Sequence, residues 1–503
     1  MNWKVIFKSL KDGDMRKRLL AVLGMLLVFR ILAHIPIPLS DSETLKQVLE
    51  SIYTSAKSSS FLSFIDVLSG GALANFSIML IGLGPYINAS IIMQLLTKAI
   101  PQLEALNNEG EFGRKKINQY TRMLTLPLAI IQSIGAIYLV RQSAASIGGL
   151  GDITANSSLA QWVLMVSALT GASMLLMWLG ELITEEGVGN GISLIITVGI
   201  VSQLPATIIE LINSAGVNGG PTLRLFGDRL VIARGQAVFA ALTLLAVTLV
   251  TVAVVKLNEA ARNITIHYAK RIQGSRTYGG VTTKLPIKLI TAGVVPIIFA
   301  VAFLSVPSFA GQLMQGMESA RLQEIGANLI AWFQTPSPTT FAQGGWQPYI
   351  YPVTYFLLVF IFTFFYTSIT FNSKEIAENL QKQGGFIENV RSGAQTEKYL
   401  GKIVNRLTFF GALSLGVLAI LPIVAQAFLS TNVALSGTSI LILVAVSLET
   451  LRQIESRAMM VTYDQYEQPD FFYDTNANPL IAASGARKLS FRGRLKGKKA
   501  KKS

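Results

Sequence analysis

Cysteine is absent from this chain, and histidine occurs only at His34 and His267. Without thiols the chain forms no disulfide and offers no thiolate ligand or cysteine nucleophile. Two histidines are too few for the usual zinc sites or for histidine-based acid–base catalysis. The HExxH motif of zinc proteases is also missing from the sequence. These absences argue against an enzyme, and we expect neither a metal nor another cofactor.

Charged residues are scarce too, at 14% of 503 residues, whereas soluble proteins have about 25%. Hydrophobic residues make up 51% of the chain, which indicates a membrane protein. The predicted fold class is all-α, a polytopic membrane protein with ten transmembrane helices. Ten apolar windows are each about long enough to span a bilayer. They cover residues 19–35, 78–96, 120–140, 161–183, 192–212, 236–257, 286–309, 351–371, 407–428 and 434–448.

The basic residues predict the orientation of these windows. Each loop is numbered here by the window that it follows. Of the 43 Lys and Arg residues, 35 fall in the two termini and the even-numbered loops, and 7 fall in the odd-numbered loops. Because basic residues accumulate on the cytoplasmic side, both termini are expected there. The first window could instead be a cleaved signal peptide, but its apolar run continues through Arg30 to Pro36 without a clear cleavage site.

A break precedes the second window. Residues 61–77 form an apolar segment that is too short to cross a bilayer, since about 20 helical residues are needed. The segment carries Asp66 and is interrupted at Ser69, Gly70 and Gly71. Irregular backbone at membrane depth is tolerated where protein buries it or where it lines a water-filled cavity. The break therefore indicates a cavity or a channel rather than a plain anchor.

Charged residues inside the windows are too few for ion-coupled transport. A coupled transporter normally has acidic, basic or histidine side chains near the bilayer midplane. Here Arg30 is the one well-buried candidate, with His34 nearer the end of its window. The glycine-rich run at residues 187–191 precedes a membrane window and follows no strand, so it is interpreted as a helix start rather than a nucleotide loop.

Several motifs resemble bacterial SecY, the channel subunit of the Sec translocon. The resemblance runs in order from about residue 16 to residue 460, through all ten windows. It is carried by SGGAL at 69–73, GPYINASIIMQLL at 84–96, KKINQY at 115–120, MWLGELITEEGVGNGI at 177–192, YAKRIQG at 268–274, AGVVPIIFA at 292–300, and residues 379–391 and 437–442.

The resemblance implies two pseudo-symmetric five-helix halves that form a clamshell around an hourglass pore. The halves correspond to residues 1–212 and 236–460, with a hinge loop at 213–235 and a basic tail at 461–503. Residues 61–77 resemble the family's plug, which fills the outer funnel. The implied plug residues are Phe61, Phe64, Asp66, Ser69, Gly70 and Gly71.

The positions that match the family's pore ring are all aliphatic: Leu83, Ile87, Ile192, Ile196, Ile298 and Ile442. Leu83 with Ile87 and Ile192 with Ile196 are i, i+4 pairs, so each pair shares one helix face. A narrow apolar constriction excludes ions by dewetting, while its side chains can part around a polypeptide. The alternative interpretation is that these are ordinary packing residues of the core.

The second and seventh windows resemble the two walls of a lateral gate toward lipid. The implied gate residues are Asn88, Ser90, Gln94, Ile290 and Thr291. Small and polar residues suit helices that must separate, although Gln94 could equally form an interhelical hydrogen bond. Ile290 departs from the asparagine that family members commonly carry there.

The basic loops between windows six and seven and between windows eight and nine resemble the family's docking surface. The candidates for contacts with the motor ATPase SecA or with ribosomal RNA are Lys270, Arg271, Arg276, Lys284 and Arg391. Ser275 and Ser392 depart from the common Arg and Pro. The alternative is that these basic residues only set the membrane orientation and bind no partner.

The stretch from Arg487 to Lys502 contains nine basic residues and no acidic residue, which is typical of disorder and of attraction to anionic lipid or RNA.

We therefore expect a channel that passes unfolded secretory polypeptides across the membrane and releases membrane segments sideways. The implied partners are SecE, SecG, SecA, the ribosome, signal sequences, nascent chains and membrane lipids. A secondary transporter for a small neutral solute is the second hypothesis, and a structural membrane scaffold is the third. The missing midplane carboxylates and the broken segment at 61–77 favour the channel.

Overall fold

The structure is a computed structural model. It describes residues 13–37, 69–72, 77–146, 158–216, 222–225, 228–268, 271–273, 276–278, 282–315, 317, 319–336, 340–341, 345–429 and 437–464. The chain forms two compact units, the smaller from residues 1–21 and 451–503 and the larger from residues 22–450. In the smaller unit Arg18 Nε donates to Asp14 Oδ2 at 3.1 Å, an exposed ion pair one helical turn apart. All the predicted pore and gate residues belong to the larger unit.

Helices dominate the first part of the chain. They are α1 (Gly13–Leu32), α2 (Gly84–Ala99), α3 (Pro101–Asn108), α4 (Glu111–Ser146), α5 (Leu159–Glu186) and α6 (Gly191–Gly216). Sequence signals fix several of their ends. Pro101 stands in the first turn of α3, where a missing N–H costs nothing. Ser158 and Gln161 form a reciprocal capping box that starts α5, and Gly187 ends α5 in the left-handed conformation with a φ of 68°.

The second part of the chain alternates long helices with short strands. Its elements are β1 (Thr222–Leu225), β2 (Asp228–Ala233), α7 (Arg234–Glu259), β3 (Ala261–Tyr268), β4 (Arg271–Gln273), β5 (Arg276–Tyr278), β6 (Thr282–Lys288), α8 (Val295–Gln315), α9 (Ala320–Phe333), α10 (Gln347–Thr370), α11 (Ser373–Lys382), β7 (Gly385–Ile387), α12 (Ala394–Leu429) and α13 (Gly437–Asp464). The all-α prediction thus holds for the apolar windows, while the loops between them contain strands.

Each of the ten predicted windows overlaps a helix. Within the described residues, four segments are long and apolar enough to cross a membrane by length and composition alone. They are Leu159–Glu186, Val295–Gln315, Gln347–Lys382 and Ala394–Leu421. The helices that a ten-span topology needs are therefore in place, and the number of spans stays a prediction.

Two windows begin later in the structure than the sequence predicted. The second window was expected from residue 78, but residues 78–83 form turns and α2 begins at Gly84. Gly82 has a φ of 58°, which breaks a helix before Pro85 starts the next. The seventh window was expected from residue 286, but residues 286–288 pair with β3 and α8 begins at Val295. Hydropathy does not distinguish an apolar strand end from a helix start.

The helix α2 contacts three other long helices. The helix α2 packs against α4 and α8 and also contacts α5, while α6 packs against α5. The helix α8 also packs against α9 and α10, and α10 packs against α12. These contacts bring the expected walls of the lateral gate, α2 and α8, directly together.

The glycine-rich run at residues 187–191 forms the tight turn between α5 and α6. Asn190 Oδ1 accepts hydrogen bonds from the backbone N–H of Ile192 at 3.1 Å and of Ser193 at 3.4 Å. A Cβ on Gly191 would lie 1.9 Å from the carbonyl oxygen of Gly180, so the two helices approach closely there. The prediction of a helix start rather than a nucleotide loop is confirmed.

Candidate pore, gate and docking surface

The backbone between α1 and α2 turns at two adjacent glycines. Gly70 and Gly71 have φ values of 72° and 84°, a left-handed conformation that glycine adopts without steric cost. Phe61, Phe64 and Asp66, which were predicted as plug residues, lie outside the described residues, whereas Ser69, Gly70 and Gly71 lie within them. Ser69 is fully buried.

Protein groups satisfy this irregular backbone. The Ser77 N–H donates to the Ala72 carbonyl at 3.0 Å, and the Ile78 N–H donates to the Ile35 carbonyl at 3.0 Å. The Ser77 hydroxyl donates to the Leu32 carbonyl at 3.0 Å, at the C-terminal end of α1. These partners replace the hydrogen bonds that a broken helix loses, as a membrane interior requires. The described part of the break is thus held in place by hydrogen bonds to the rest of the protein.

The start of α2 is fixed by a buried hydroxyl. Ser173, from α5, donates its hydroxyl to the Gly82 carbonyl oxygen. Leu83 then caps the N-terminus of α2 and is fully buried, and Ile87 follows one turn later. The hydrogen bond from α5 holds the turn that orients both aliphatic side chains.

The six predicted ring residues share a location in their helices, because each lies at the N-cap or within the first two turns. Leu83 and Ile87 belong to α2, Ile192 and Ile196 to α6, Ile298 to α8, and Ile442 to α13. Ile192 is half-buried and the other five are buried. The described residues place no charged side chain among the six. Their joint closure around a pore stays a prediction.

The hydrogen bond that Gln94 makes on α2 differs from the interhelical hydrogen bond that was one alternative for this residue. Gln94 Nε2 donates to Ser90 Oγ at 3.2 Å within the same helix, one turn away. Among the described residues, Gln94 Oε1 is buried and has no hydrogen-bond partner. Within the described part of the chain, Gln94 therefore makes a hydrogen bond inside α2 rather than between helices. An unsatisfied buried carbonyl weakens the packing of the helix that carries it.

Ile290 and Thr291 lie in the turn before α8, not on that helix. The seventh window was predicted to start at residue 286, but strand pairing continues to Lys288 and Gly293 turns the chain with a φ of 63°. Ile290 is buried, and Thr291 donates its hydroxyl to the Lys288 carbonyl at 3.1 Å. Their placement within that helix was wrong, so of the predicted gate residues only Asn88, Ser90 and Gln94 lie on α2 or α8.

Parts of the two loops that carry the predicted docking residues form one folded piece, here named the loop body. It comprises the sheet β6–β3–β7, the helix α11 and the first turns of α12. Strand β3 pairs antiparallel with β6 on one side and with β7 on the other, so the two basic loops share a sheet. Its core is made of aliphatic residues: Ile264, Ile287, Ile387, Leu400, Ile403 and Val404.

Two docking candidates have described side chains on the loop body. Lys284 lies on β6 opposite Thr265, and Arg391 follows β7, and both are exposed. The Arg391 carbonyl accepts a hydrogen bond from the Thr396 hydroxyl at 2.9 Å, which fixes the backbone there. Arg271 and Arg276 lie on the separate hairpin β4–β5, and only their backbone is described. Lys270 lies outside the described residues.

Sequence reasoning missed a basic cleft of about 740 Å³ beside α12. Lys398, Lys402 and Arg406 follow one another at i, i+4 and i+8, so they share a helix face. Phe364, Phe409 and Phe410 line the apolar end of the cleft. The signal was the four-residue spacing of the basic residues just before an apolar window.

Fold and site together define a multi-pass membrane protein with a buried, hydrogen-bonded break between α1 and α2. The family model described as SecY matches residues 77–451. The chain belongs to the SecY family.

Curated relatives match along almost their whole length. The protein translocase subunit SecY of Streptomyces galbus is 39% identical over 466 residues, which cover 91% of this chain and 98% of the relative. The SecY subunit of Corynebacterium glutamicum is also 39% identical, with the same coverage. That of Mycobacterium bovis is 36% identical over 467 residues.

Solved structures support the same fold. A structure described as that of a protein conducting channel has a TM-score of 0.58 at 17% identity and covers 89% of this chain and 93% of its own. A second, with the same values, concerns the plug domain of SecY, which stabilizes the closed state of the translocation channel. Sec61 in a canine ribosome–channel complex has a TM-score of 0.55. The fold is that of a protein-conducting channel.

Proposed function

We propose that this chain is the channel through which unfolded secretory polypeptides cross the membrane and from which membrane segments leave sideways into lipid. The observation that carries the proposal is the buried, hydrogen-bonded break between α1 and α2 in a member of the SecY family. A small-solute carrier has less support, since the described residues contain no group of three or more His, Asp and Glu side chains placed to hold a metal ion.

A crosslinking experiment tests the channel directly. Because the chain has no cysteine, Ile87→Cys introduces a single thiol at the expected constriction. We expect this thiol to crosslink to a secretory chain stalled during transport. Ile92→Cys is the matched control on the same helix, since Ile92 is 38% exposed and Ile87 is 4% exposed. Equal crosslinking at both positions, or none at Ile87, would remove the channel assignment.

The resting seal is proposed to have two layers. The first is the ring of Leu83, Ile87, Ile192, Ile196, Ile298 and Ile442, whose burial in the described structure suits a dry constriction. The second is the plug at residues 61–77, of which Gly70 and Gly71 pack against α1 and α6. A solved structure of a SecY plug domain, which keeps a membrane seal in that protein, supports this division of roles.

The lateral gate is proposed to open between α2 and α8, which pack against each other in the structure. Asn88, Ser90 and Gln94 give α2 a partly polar face. The buried Oε1 of Gln94, without a partner among the described residues, supports a weak closed contact. A change in the packing of α2 that exposes this oxygen to water would favour the open gate.

The loop body and the β4–β5 hairpin are proposed as the docking surface for a motor ATPase of the SecA type and for ribosomal RNA. Exposed Lys284 and Arg391 support the proposal because clustered basic side chains bind carboxylates and phosphates. A relative of known structure, Sec61, was solved in a ribosome–channel complex. Lys270, Arg271 and Arg276 are proposed to extend the same surface.

We also propose the assembly and the location of the chain. The small subunits SecE and SecG are its expected partners, and the cytoplasmic membrane of a bacterium is its expected location, with both termini in the cytoplasm. The asymmetry of the basic residues supports this orientation. Mild solubilisation followed by identification of the co-purifying subunits tests the assembly, and protease access to the C-terminal tail in sealed vesicles tests the orientation.

A further inference from the structure

Arg30 is a charged residue within the hydrophobic part of α1, and the partners that the structure describes for it are neutral. Its Nη1 donates to the Gly70 carbonyl at 2.7 Å and to the Ser202 hydroxyl at 2.9 Å. Across the described residues, no carboxylate forms an ion pair with Arg30. The Ser202 hydroxyl in turn donates to the Gly199 carbonyl at 2.6 Å and lies 3.3 Å from the Gly70 carbonyl oxygen. One side chain thus joins α1, α6 and the broken segment.

Gly70 is shaped for this contact. A Cβ at Gly70 would lie 2.7 Å from Cζ of Phe29 and 3.2 Å from Cα of Gly199, and the residue has a φ of 72°. Both the space and the backbone conformation therefore require glycine. The absence of a side chain lets the Gly70 backbone fit between α1 and α6, where its carbonyl reaches the guanidinium. At Gly71 the nearest atom to a Cβ is Gln203 Nε2 at 3.5 Å, which leaves room.

The chemistry of the contact suits a reversible hold. A hydrogen bond from a charged donor is stronger than one between neutral groups, so the contact stabilises the packed position of Gly70. The acceptors are a carbonyl and a hydroxyl, and water makes nearly equivalent hydrogen bonds to a guanidinium. When a polypeptide and water enter the pore, water can replace the Gly70 carbonyl. A buried carboxylate partner would be much harder to replace.

We propose that Arg30 and Ser202 form a latch on the Gly70 carbonyl that holds the end of the plug in the resting channel and releases it during transport. This Gly70 latch rests on the proposed plug at residues 61–77. Arg30 is a positioning residue in this scheme, since it acts on the seal and not on the passing chain.

A cysteine reporter measures the latch. Ser69→Cys places the only thiol of the chain beside Gly70, at a fully buried position. Resting channels in sealed vesicles are treated with a water-soluble maleimide, and the labelling rate reports how often the segment is released. We expect Arg30→Met to raise the labelling rate about tenfold, which corresponds to about 1.4 kcal/mol. Ser202→Ala should raise it less, because the charged donor to Gly70 remains.

Two further variants separate a latch from a merely structural role. Arg30→Lys retains one charged donor and should restore slow labelling, although it cannot bind Gly70 and Ser202 in the fixed geometry of a guanidinium. His34→Ala is the control, since His34 lies just beyond the end of α1 and its Nδ1 donates to the Arg30 carbonyl at 2.8 Å. This variant should be labelled at the same rate as the channel that carries Ser69→Cys alone. A structural role alone would lower expression or thermal stability without faster labelling in Arg30→Met.

The outcomes distinguish the latch from the plug assignment. Removal of residues 61–68 should raise resting ion conductance, and unchanged conductance would contradict the plug itself. If the deletion raises conductance while Arg30→Met and Ser202→Ala both label at the parental rate, the latch is wrong and the plug stands. Ser202→Ala changes one hydroxyl, so its labelling rate tests the latch even if Arg30→Met does not fold.

Discussion

The break between α1 and α2 and the loop body are stabilised by different kinds of interaction. The break depends on glycines with positive φ, single hydroxyl hydrogen bonds and one partly buried guanidinium. The loop body depends on paired strands and a compact aliphatic core around Leu400, which is fully buried. Hydrogen bonds to neutral groups contribute little net stability each, whereas burial of a whole leucine contributes about 1.5–3 kcal/mol.

This difference matches the tasks that are proposed for the two regions. A seal that opens in each transport cycle needs contacts that water can replace. A surface that receives a motor or a ribosome needs a fixed shape, because a flexible surface loses ordering entropy on binding. The contrast can be tested by weakening each region in turn and asking whether the other is affected.

The largest effect is expected from the core of the loop body. Leu400→Ala should destabilise this body by about 2–5 kcal/mol, since it leaves a cavity beneath the sheet. Limited proteolysis with trypsin should then cleave near Lys284 and Arg391 much faster, while resting ion conductance stays unchanged. Tyr399→Ala, at the exposed neighbouring position, is the control. A rise in conductance with Leu400→Ala would show that the two regions are not independent.

The next effect concerns the apolar ring. Ile298→Ser replaces a buried aliphatic side chain with a hydroxyl and should let water into the constriction. Loss of about 1.4 kcal/mol of apolar stabilisation corresponds to about tenfold more ion leak in planar bilayers. Ile196→Ser should act in the same way. The control is Ile361→Ser at a position that is exposed on α10. Parental conductance in both ring variants would mean that these residues serve packing only.

A third prediction tests the surface of the loop body. Arg391→Glu reverses an exposed charge without touching the core, so the protein should fold normally. We expect ATP-driven translocation to fall about tenfold, since a charge-assisted contact becomes a repulsion. Lys382→Glu makes the same charge change at another exposed position, in the last turn of α11. If both variants lose transport to the same extent, the surface acts through its net charge and Arg391 has no special place in docking. Normal transport by Arg391→Glu would remove Arg391 from the docking surface.

The smallest effect is expected at the gate. Gln94→Leu removes a buried oxygen without a partner among the described residues and should strengthen the closed contact of α2 by about 1 kcal/mol. Release of weakly hydrophobic membrane segments into lipid should fall severalfold, while strongly hydrophobic segments are unaffected. Asn88→Leu is the comparison on the same helix. Equal release of weak and strong segments would contradict a role for Gln94 in gating.

The sequence predicted the helices well and their boundaries less well. Every apolar window overlaps a helix, because twenty apolar residues have few other stable solutions in a membrane protein. The starts of α2 and α8 were placed too early, since residues 78–83 and 286–288 are not separated by hydropathy from the helices that follow them. Their turns and strand pairing depend on Ser173 and β3, which are distant in the sequence.

The candidate site shows the same division. Aliphatic ring positions and polar residues on α2 could be proposed from matching motifs, but the displacement of Ile290 and Thr291 from the gate helix could not. The hydrogen bond within α2 between Gln94 and Ser90 was missed as well, since sequence alone does not reveal rotamers. The four-residue spacing of Lys398, Lys402 and Arg406 is visible in the sequence. The cleft beside them forms only because residues of α10 and α11 supply its other walls.

By itself the sequence determined the class of this protein. Its lack of cysteine, its scarcity of charge and the one-sided distribution of basic residues are all visible without a fold, and the last two follow from the cost of polar groups in a bilayer. Only the tertiary structure decided what the charge at Arg30 does. Hydrogen bonding acts over about 3 Å, so the partnership of Arg30 with Gly70 and Ser202, 40 and 172 residues away along the chain, exists only after the helices pack.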